Sequence, residues 1–471
     1  MAQPSLAANH LKTNKISVRI TVMDKQRKKV LIISHDKIGA KMAGPGIRYH
    51  YMAEFLSSSF DVTVGFFDPT YLPDASFKRS YKTKSINAYS FEEGFSGVDY
   101  VIALWLSESM LHYCNIHNIF VVFDLYAPVP VENLVKYIFS NKKISQDIDD
   151  EFSESIKSYR KFFENGDLFL TSNRRQLDYW VGYVFGAGLI RPSGYAKRPM
   201  YDRFMYAPMG IDSTDKIKKS DTAVMKGHLP GIKKSDKVML WTGGVWDWFD
   251  AQNLIRAMVL LKETEPTLKL VFFGTQHPNP SIPEMDESLQ ARRLAKKLGV
   301  LDASVIFMNG WVDYSERLSY LAEADLAVYA HKPSIEAEFS HRTRVLDHIL
   351  AELPTVATEG DYFADDVING RLGATCEALN PQALSSAISN LLDKKRYEET
   401  KAAIRAEKQS YDWANTLLPL KEYLLSNPAK LQRATNQNVL NPDKKIIKLA
   451  KKYTPTPAKK VMKRTIRLIK K

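Results

Sequence analysis

The chain has 471 residues, 45% hydrophobic and 25% charged, the balance of a soluble globular protein too long for one ordinary core. Its two cysteines, Cys114 and Cys376, are too few and too far apart for a disulfide framework or a cysteine-ligated metal cluster, and they suggest a reducing compartment. The net charge of +13 invites a nucleic-acid reading, but twelve Lys or Arg and one acid fall in 441–471. Eleven of the surplus charges therefore sit in that tail, and the other 440 residues carry two.

Residues 1–28 are a polar leader, without the apolar stretch of a signal peptide. The longest apolar runs are strand-sized, far short of the ~20 residues a membrane helix needs. "KKVLIIS" (28–34) predicts a buried strand, followed by a Gly-rich loop and a helix with Ile47, Tyr51 and Phe55 at helical spacing. "DVTVGFF", "VDYVIALWL", "NIFVVFDLY" and "GDLFLTSN" repeat the strand pattern up to residue 173. Strands alternating with helices mean a parallel sheet, and the first domain is expected over 29–212. Residues 213–236 are Lys-rich and turn-prone, and are expected to be a linker.

The alternation resumes at "KVMLWTGG" and runs through "LKLVFFG", "VIFMNGWV", "DLAVYA" and "PTVAT", giving a second doubly wound domain over 237–410. A further helix is expected over 411–426, which can cross back to the first domain, and then a basic tail over 427–471. Two such domains place a ligand in the cleft between them, at the carboxyl ends of the strands.

Four stretches carry candidate chemistry. In "GAKMAGPGIR", Gly44, Gly46 and Arg48 suit a loop that approaches a substrate, or equally a structural turn. "DIDD" (147–150) contains D-x-D, a pattern some enzymes use for a divalent metal, but it lies in a polar segment that reads as an exposed helix. In "WTGGVWDWFDAQNL", Gly243 and Gly244 let the backbone approach a ligand. Trp246 and Trp248 suit packing as well as binding, and Asp247 and Asp250 suit a helix cap. In "SHRTRVLDHIL", Arg342 and Arg344 stand at a loop-to-helix junction and can cradle a pyrophosphate, with Asp347 one turn on to accept from a ribose diol. The same spacing also suits an i,i+3 surface ion pair of Arg344 with Asp347.

Together these stretches resemble the retaining glycosyltransferases of the GT-B fold, over about residues 30–425. That family carries an E-x7-E helix followed by a G-x-P-V-V-A strand, and "DHILAELPTVATEGD" is similar to its second half. Asp347 falls at the second acid position, Phe339 at the first with Glu338 beside it, and Glu352 stands where glycine is usual. The family's diphosphate-clamping Arg and Lys align with Gly244 and Phe249, and Arg342 and Arg344 compensate. "GPGIRYHYMAEFL", "FDLYAPVPVEN", "RRQLDYWVG", "FFGTQHPNP" and "NGWVDYSERLSYLAEADLAVYAH" resemble a bacterial subgroup that builds surface polysaccharides such as O-antigens.

The resemblance implies an α/β protein of GT-B fold: two Rossmann-like doubly wound domains facing a central cleft, with a basic amphipathic tail added. It implies transfer of a hexose or deoxyhexose, with retention, from a nucleotide-diphosphate sugar to a hydroxyl of a glycan or lipid-linked glycan. No metal and no cofactor are expected. The diphosphate falls to Arg342, Arg344, Gly243 and Gly244, and the ribose to Asp347. Asp124 and Glu338 are the expected catalytic residues. A GT-B sugar-nucleotide epimerase would share the cleft. A phosphorylase-like enzyme would need a pyridoxal lysine, and none stands out. A non-catalytic membrane- or nucleic-acid-binding protein would rest on the tail alone. In "PAKKVMKRTIRLIKK", Val461, Met462, Ile466 and Ile469 share one helical face among basic residues, the pattern of a helix lying on an anionic membrane. A cytoplasmic protein, peripheral on the inner face of the cell membrane, is expected, with nucleic acid disfavoured as a partner.

Overall fold

The computed structural model describes residues 27–139, 144–190, 192–197, 199–215, 217, 223–275 and 283–431. The tail from 441 and its amphipathic pattern lie outside these residues.

The first domain is built on β1 (Lys29–Ser34), β2 (Asp61–Phe66), β3 (Lys82–Ser85), β4 (Tyr100–Ala103), β5 (Phe120–Asp124), β6 (Leu168–Thr171) and β7 (Phe204–Tyr206). They form one parallel sheet in the order β3-β2-β1-β4-β5-β6-β7. β4, β5 and β6 are buried at every position, because helices cover both faces of the sheet. The second domain uses β8 (Lys237–Thr242), β9 (Leu268–Phe273), β10 (Val305–Phe307), β11 (Leu326–Tyr329), β12 (Thr355–Thr358) and β13 (Gly373–Cys376). Their order is β10-β9-β8-β11-β12-β13, again all parallel. In each sheet the order reverses beside the first strand, so the two switch points face one another.

The expected linker is only partly a connection. From residue 223 the chain packs on the second domain, with Met225 and Ile232 buried in its core. The Glu323 carboxylate accepts from the amides of Val224, Met225 and Lys226, fixing this part of the expected linker on the second domain. The chain then returns. Trp413 donates its amide to the Ile211 carbonyl at 3.0 Å, so both crossings between domains lie side by side. The helix Trp413–Leu425 lies on the first domain: the Trp413 ring stacks on Tyr51 at 5.3 Å, and Tyr100 donates its hydroxyl to the Leu424 carbonyl at 2.9 Å.

Two further expectations change. Gly44 and Gly46 do not form a loop, and Arg48 lies inside a helix as its sequence position implied. All three occupy the first turns of the helix Gly44–Ser57, which Pro45 starts because its fixed φ suits a first turn. A Cβ on Gly46 would stand 2.2 Å from the Lys37 carbonyl oxygen, so this glycine is required where the helix meets the loop after β1. The stretch 335–350 breaks into the helices Ile335–Phe339 and Arg344–Leu350, with Ser340–Thr343 between them.

Candidate active site

The carboxyl ends of both sheets open onto one cleft of about 570 Å³, within the range of small-molecule sites. Its first-domain wall includes His35, Tyr126 and Glu132; its second-domain wall includes Gly243, Gly244, Trp246, Trp311, Arg317, Glu336, His341, Arg342, Arg344 and Asp347.

Under the first-domain wall lies an ion pair with neither partner exposed. Arg48 Nε donates to Asp124 Oδ2 at 2.7 Å, and its Nη2 to Oδ1 at 2.6 Å. Asp124 is therefore not placed as the expected catalytic residue: Arg48 binds both its oxygens, and it does not line the cleft. Arg48 likewise sits beneath the wall, its Cζ 4.9 Å from the centroid of Tyr126. His35 rests on this layer, its ring 6.5 Å from that of Tyr126, and faces the cleft. Neighbouring groups desolvate the ring and push its pKa down to about 4 against the pull of Asp124, while the residue keeps an exposed edge on the cleft.

The expected catalytic Glu338 is exposed and does not line the cleft. Two residues earlier, on the other side of a short helix, Glu336 does line it and is 2% exposed. Its oxygens accept from Arg342 Nη1 and Nη2 at 2.7 and 2.8 Å, and Arg342 Nε reaches Asp361 Oδ2 at 3.3 Å. Two carboxylates thus neutralise Arg342. The expectation that it cradles phosphate is corrected: it braces the cleft wall against Glu336 and Asp361.

Arg344 is different. It lies against the rings of Phe249 and Trp241, 4.2 and 4.9 Å from their centroids, and donates Nη2 to the Gly244 carbonyl at 2.9 Å. Its Nη1 is buried without a partner, and no carboxylate lies within ion-pair distance among the described residues. Burial first, and then the charge of Arg342, push its pKa down to about 9. Gly243, at φ +75°, turns the chain so that Gly244 meets this arginine. As expected, Asp250 caps the helix Ala251–Leu260, accepting from the Asn253 amide.

Asp347 faces the cleft with its side chain 31% exposed and pairs with Arg317 at 3.1 Å, not with Arg344. His341 lines the cleft with both ring nitrogens unpartnered; burial and then Arg48 push its pKa down to about 3. Trp246 and Trp248 stack with ring centroids 5.3 Å apart, both at the cleft.

Sequence reasoning missed Glu132 and Arg317. Glu132 lies on the helix Val129–Phe139, and its carboxylate makes no hydrogen bond or ion pair with a described residue. Burial, and then the neighbouring Glu336, push its carboxyl up to about 7 against the opposing charge of Arg342. A signal was present in "VPVENLV", where a lone acid interrupts an apolar run that follows a strand end. "DIDD" lies on the helix Gln146–Asn165 with Asp147, Asp149 and Asp150 exposed.

Residues 236–394 match the family model described as "Glycosyl transferases group 1". No curated protein matches the chain. Among solved structures, the chain is similar to Anabaena Alr3699/HepE in complex with UDP and glucose, with a TM-score of 0.60 and 15% identity over 85% of this chain and 100% of that one. It is similar to sucrose-phosphate synthase from Thermosynechococcus elongatus (TM-score 0.57, 15% identity, 85% and 99% covered). It is also similar to WaaG, a glycosyltransferase involved in lipopolysaccharide biosynthesis (TM-score 0.58, 15% identity, 84% and 99% covered). The second domain thus carries the group 1 glycosyltransferase family model, and the chain as a whole has the GT-B fold.

Proposed function

We propose that the chain is a glycosyltransferase that moves a hexose or deoxyhexose, with retention, from a nucleotide-diphosphate sugar to a hydroxyl of a glycan or lipid-linked glycan in bacterial surface-polysaccharide synthesis. The observation that carries this reading is Arg344: a half-buried guanidinium beside the Gly243–Gly244 turn and lining the cleft, with its Nη1 buried and unpartnered. A buried cation without a counter-charge is costly, and a diphosphate supplies that charge. The chemical task is to stabilise the leaving diphosphate, which a preorganised cation in a water-poor cleft does well. Asp347 takes the ribose. Glu132, opposite on the first-domain wall, takes the acceptor hydroxyl in place of Asp124. The UDP bound to the similar Alr3699/HepE and the lipopolysaccharide role of WaaG support the donor and pathway class.

Arg344→Ala is expected to weaken nucleoside-diphosphate binding by about 1.5–3 kcal/mol, the worth of a charge-assisted hydrogen bond. Calorimetry with UDP, GDP and ADP tests it, and wild-type affinity in a folded variant would overturn the phosphate assignment.

The reaction is proposed to need no metal and no cofactor. Chelator should leave turnover intact, and Asp147→Ala on its exposed helix should be nearly silent. Loss of activity in EDTA, restored by magnesium or manganese, would make "DIDD" a site.

The tail is proposed to hold the protein on the inner face of the cell membrane, near a lipid-linked acceptor. Each basic residue near an anionic surface contributes about 1 kcal/mol, which the nearly neutral body cannot match. Full-length protein should co-sediment with anionic and not with neutral vesicles, and less at high salt. A chain ending at Asn427 that pelleted equally well would remove the tail as anchor.

A further inference from the structure

The donor wall holds a third arginine, Arg317, to which the proposed chemistry gives no role. Arg317 opens the helix Arg317–Glu323, is 7% exposed, and lines the cleft beside Asp347. Its Nε donates to Asp347 Oδ1 at 3.1 Å, its Nη1 donates to the Tyr314 carbonyl at 2.6 Å, and its Nη2 lies 3.5 Å from Asp215 Oδ2. Its Cζ stands 3.5 Å from the centroid of the Tyr314 ring. Held at all three nitrogens and balanced by two carboxylates, it is a poor phosphate ligand and a good brace. Asp347 is fixed at one oxygen only. Its Oδ2 accepts no hydrogen bond from a described residue, and the side chain remains open to the cleft.

The brace is itself anchored at the junction of the domains. Asp215 belongs to the connection between them. Tyr314 donates its amide to the Ala40 carbonyl of the first domain at 2.8 Å, and its hydroxyl lies 3.4 Å from that of Tyr51.

We propose that Arg317 is a positioning residue that aims the Asp347 carboxylate at the ribose diol of the donor, and so sets the preference of the site for a ribonucleotide. This rests on the reading of Asp347 as the ribose ligand. A carboxylate held at Oδ1 presents Oδ2 in one direction, whereas a free one must be ordered by each ligand that arrives.

The test compares ribonucleotides with their 2′,3′-dideoxy forms. Calorimetry is run with UDP, GDP and ADP and the three dideoxy counterparts, on the wild-type chain and on Arg317→Met, Arg317→Lys and Asp347→Asn. The wild type should favour the ribose form of the diphosphate it binds by on the order of tenfold. Arg317→Met should bring that ratio close to one and leave the dideoxy affinity within about twofold, and Arg317→Lys should fall between. A structural role alone would weaken both forms together and keep the ratio; that result overturns the proposal. Retained dideoxy binding shows that a variant is folded, and if Arg317→Met does not fold, the ratio in Arg317→Lys decides. If the wild type shows no diol preference, the ribose assignment of Asp347 fails and Arg317 with it. If the wild type binds none of the three diphosphates and no dTDP, the donor reading itself fails.

Discussion

Replacing Arg48 by methionine is expected to destabilise the first domain by about 3–5 kcal/mol, the cost of leaving a buried charge without its partner. Asp124 lies at the end of β5, fully buried, with both oxygens bound by Arg48. Removing the arginine strands a carboxylate under the cleft wall, where it must protonate or draw in water. The double variant Arg48→Met, Asp124→Leu should recover much of the loss, because a buried pair gains little over apolar groups of similar volume. Urea unfolding, followed at the first transition, measures both. A single variant within about 1 kcal/mol of wild type would show that the pair is not the keystone of that wall.

Glu132→Gln is expected to lower turnover by about 10²–10⁴-fold, the usual contribution of a positioned proton acceptor. The carboxylate would accept a hydrogen bond from the acceptor hydroxyl and take its proton as that oxygen bonds to the anomeric carbon on the same face the diphosphate leaves, which keeps the anomeric configuration. Burial and Glu336 raise the carboxyl to about 7, and Arg342 opposes them; Lys136 on the same helix and Tyr126 also line this part of the cleft. The raised group is neutral below about pH 7 and charged above it, so activity should rise with pH through that value. In Glu132→Gln that limb should disappear, while nucleoside-diphosphate affinity stays at the wild-type level. A variant that keeps the same pH profile would exclude Glu132 as the titrating group.

Both domains were legible because strands covered on both faces are continuous apolar runs, and β1, β5, β8 and β9 are of that kind. The strands that escaped are three or four residues long and lie at sheet edges: β3 is "KTKS", β7 is "FMY" and β13 is "GATC". Glu352, standing where glycine is usual, sits at φ +56°, a left-handed conformation that explains the usual glycine; here its carboxylate meets Arg405 at 2.8 Å.

The site was legible in its residue types and misread in its pairings. Arg342 and Arg344 are two positions apart, yet Glu336 and Asp361 neutralise one and leave the other unpaired. The partner of Asp124 is 76 residues away, and that of Asp347 is 30. Local spacing carries no information at such distances. The break at Ser340–Thr343 also places Glu336, and not Glu338, at the cleft. Glu132 was hidden because its significance comes from what faces it across the cleft.

The cleft is proposed to turn over a nucleotide-diphosphate sugar. The most direct measurement is release of free nucleoside diphosphate when the full chain is incubated with UDP-, GDP-, ADP- and dTDP-linked sugars, with the anomer of the freed sugar followed by NMR. At least one donor should be hydrolysed, slowly and with the anomeric configuration retained, and Arg344→Ala should lose that activity. If no diphosphate is released from any donor and none binds, the account is contradicted.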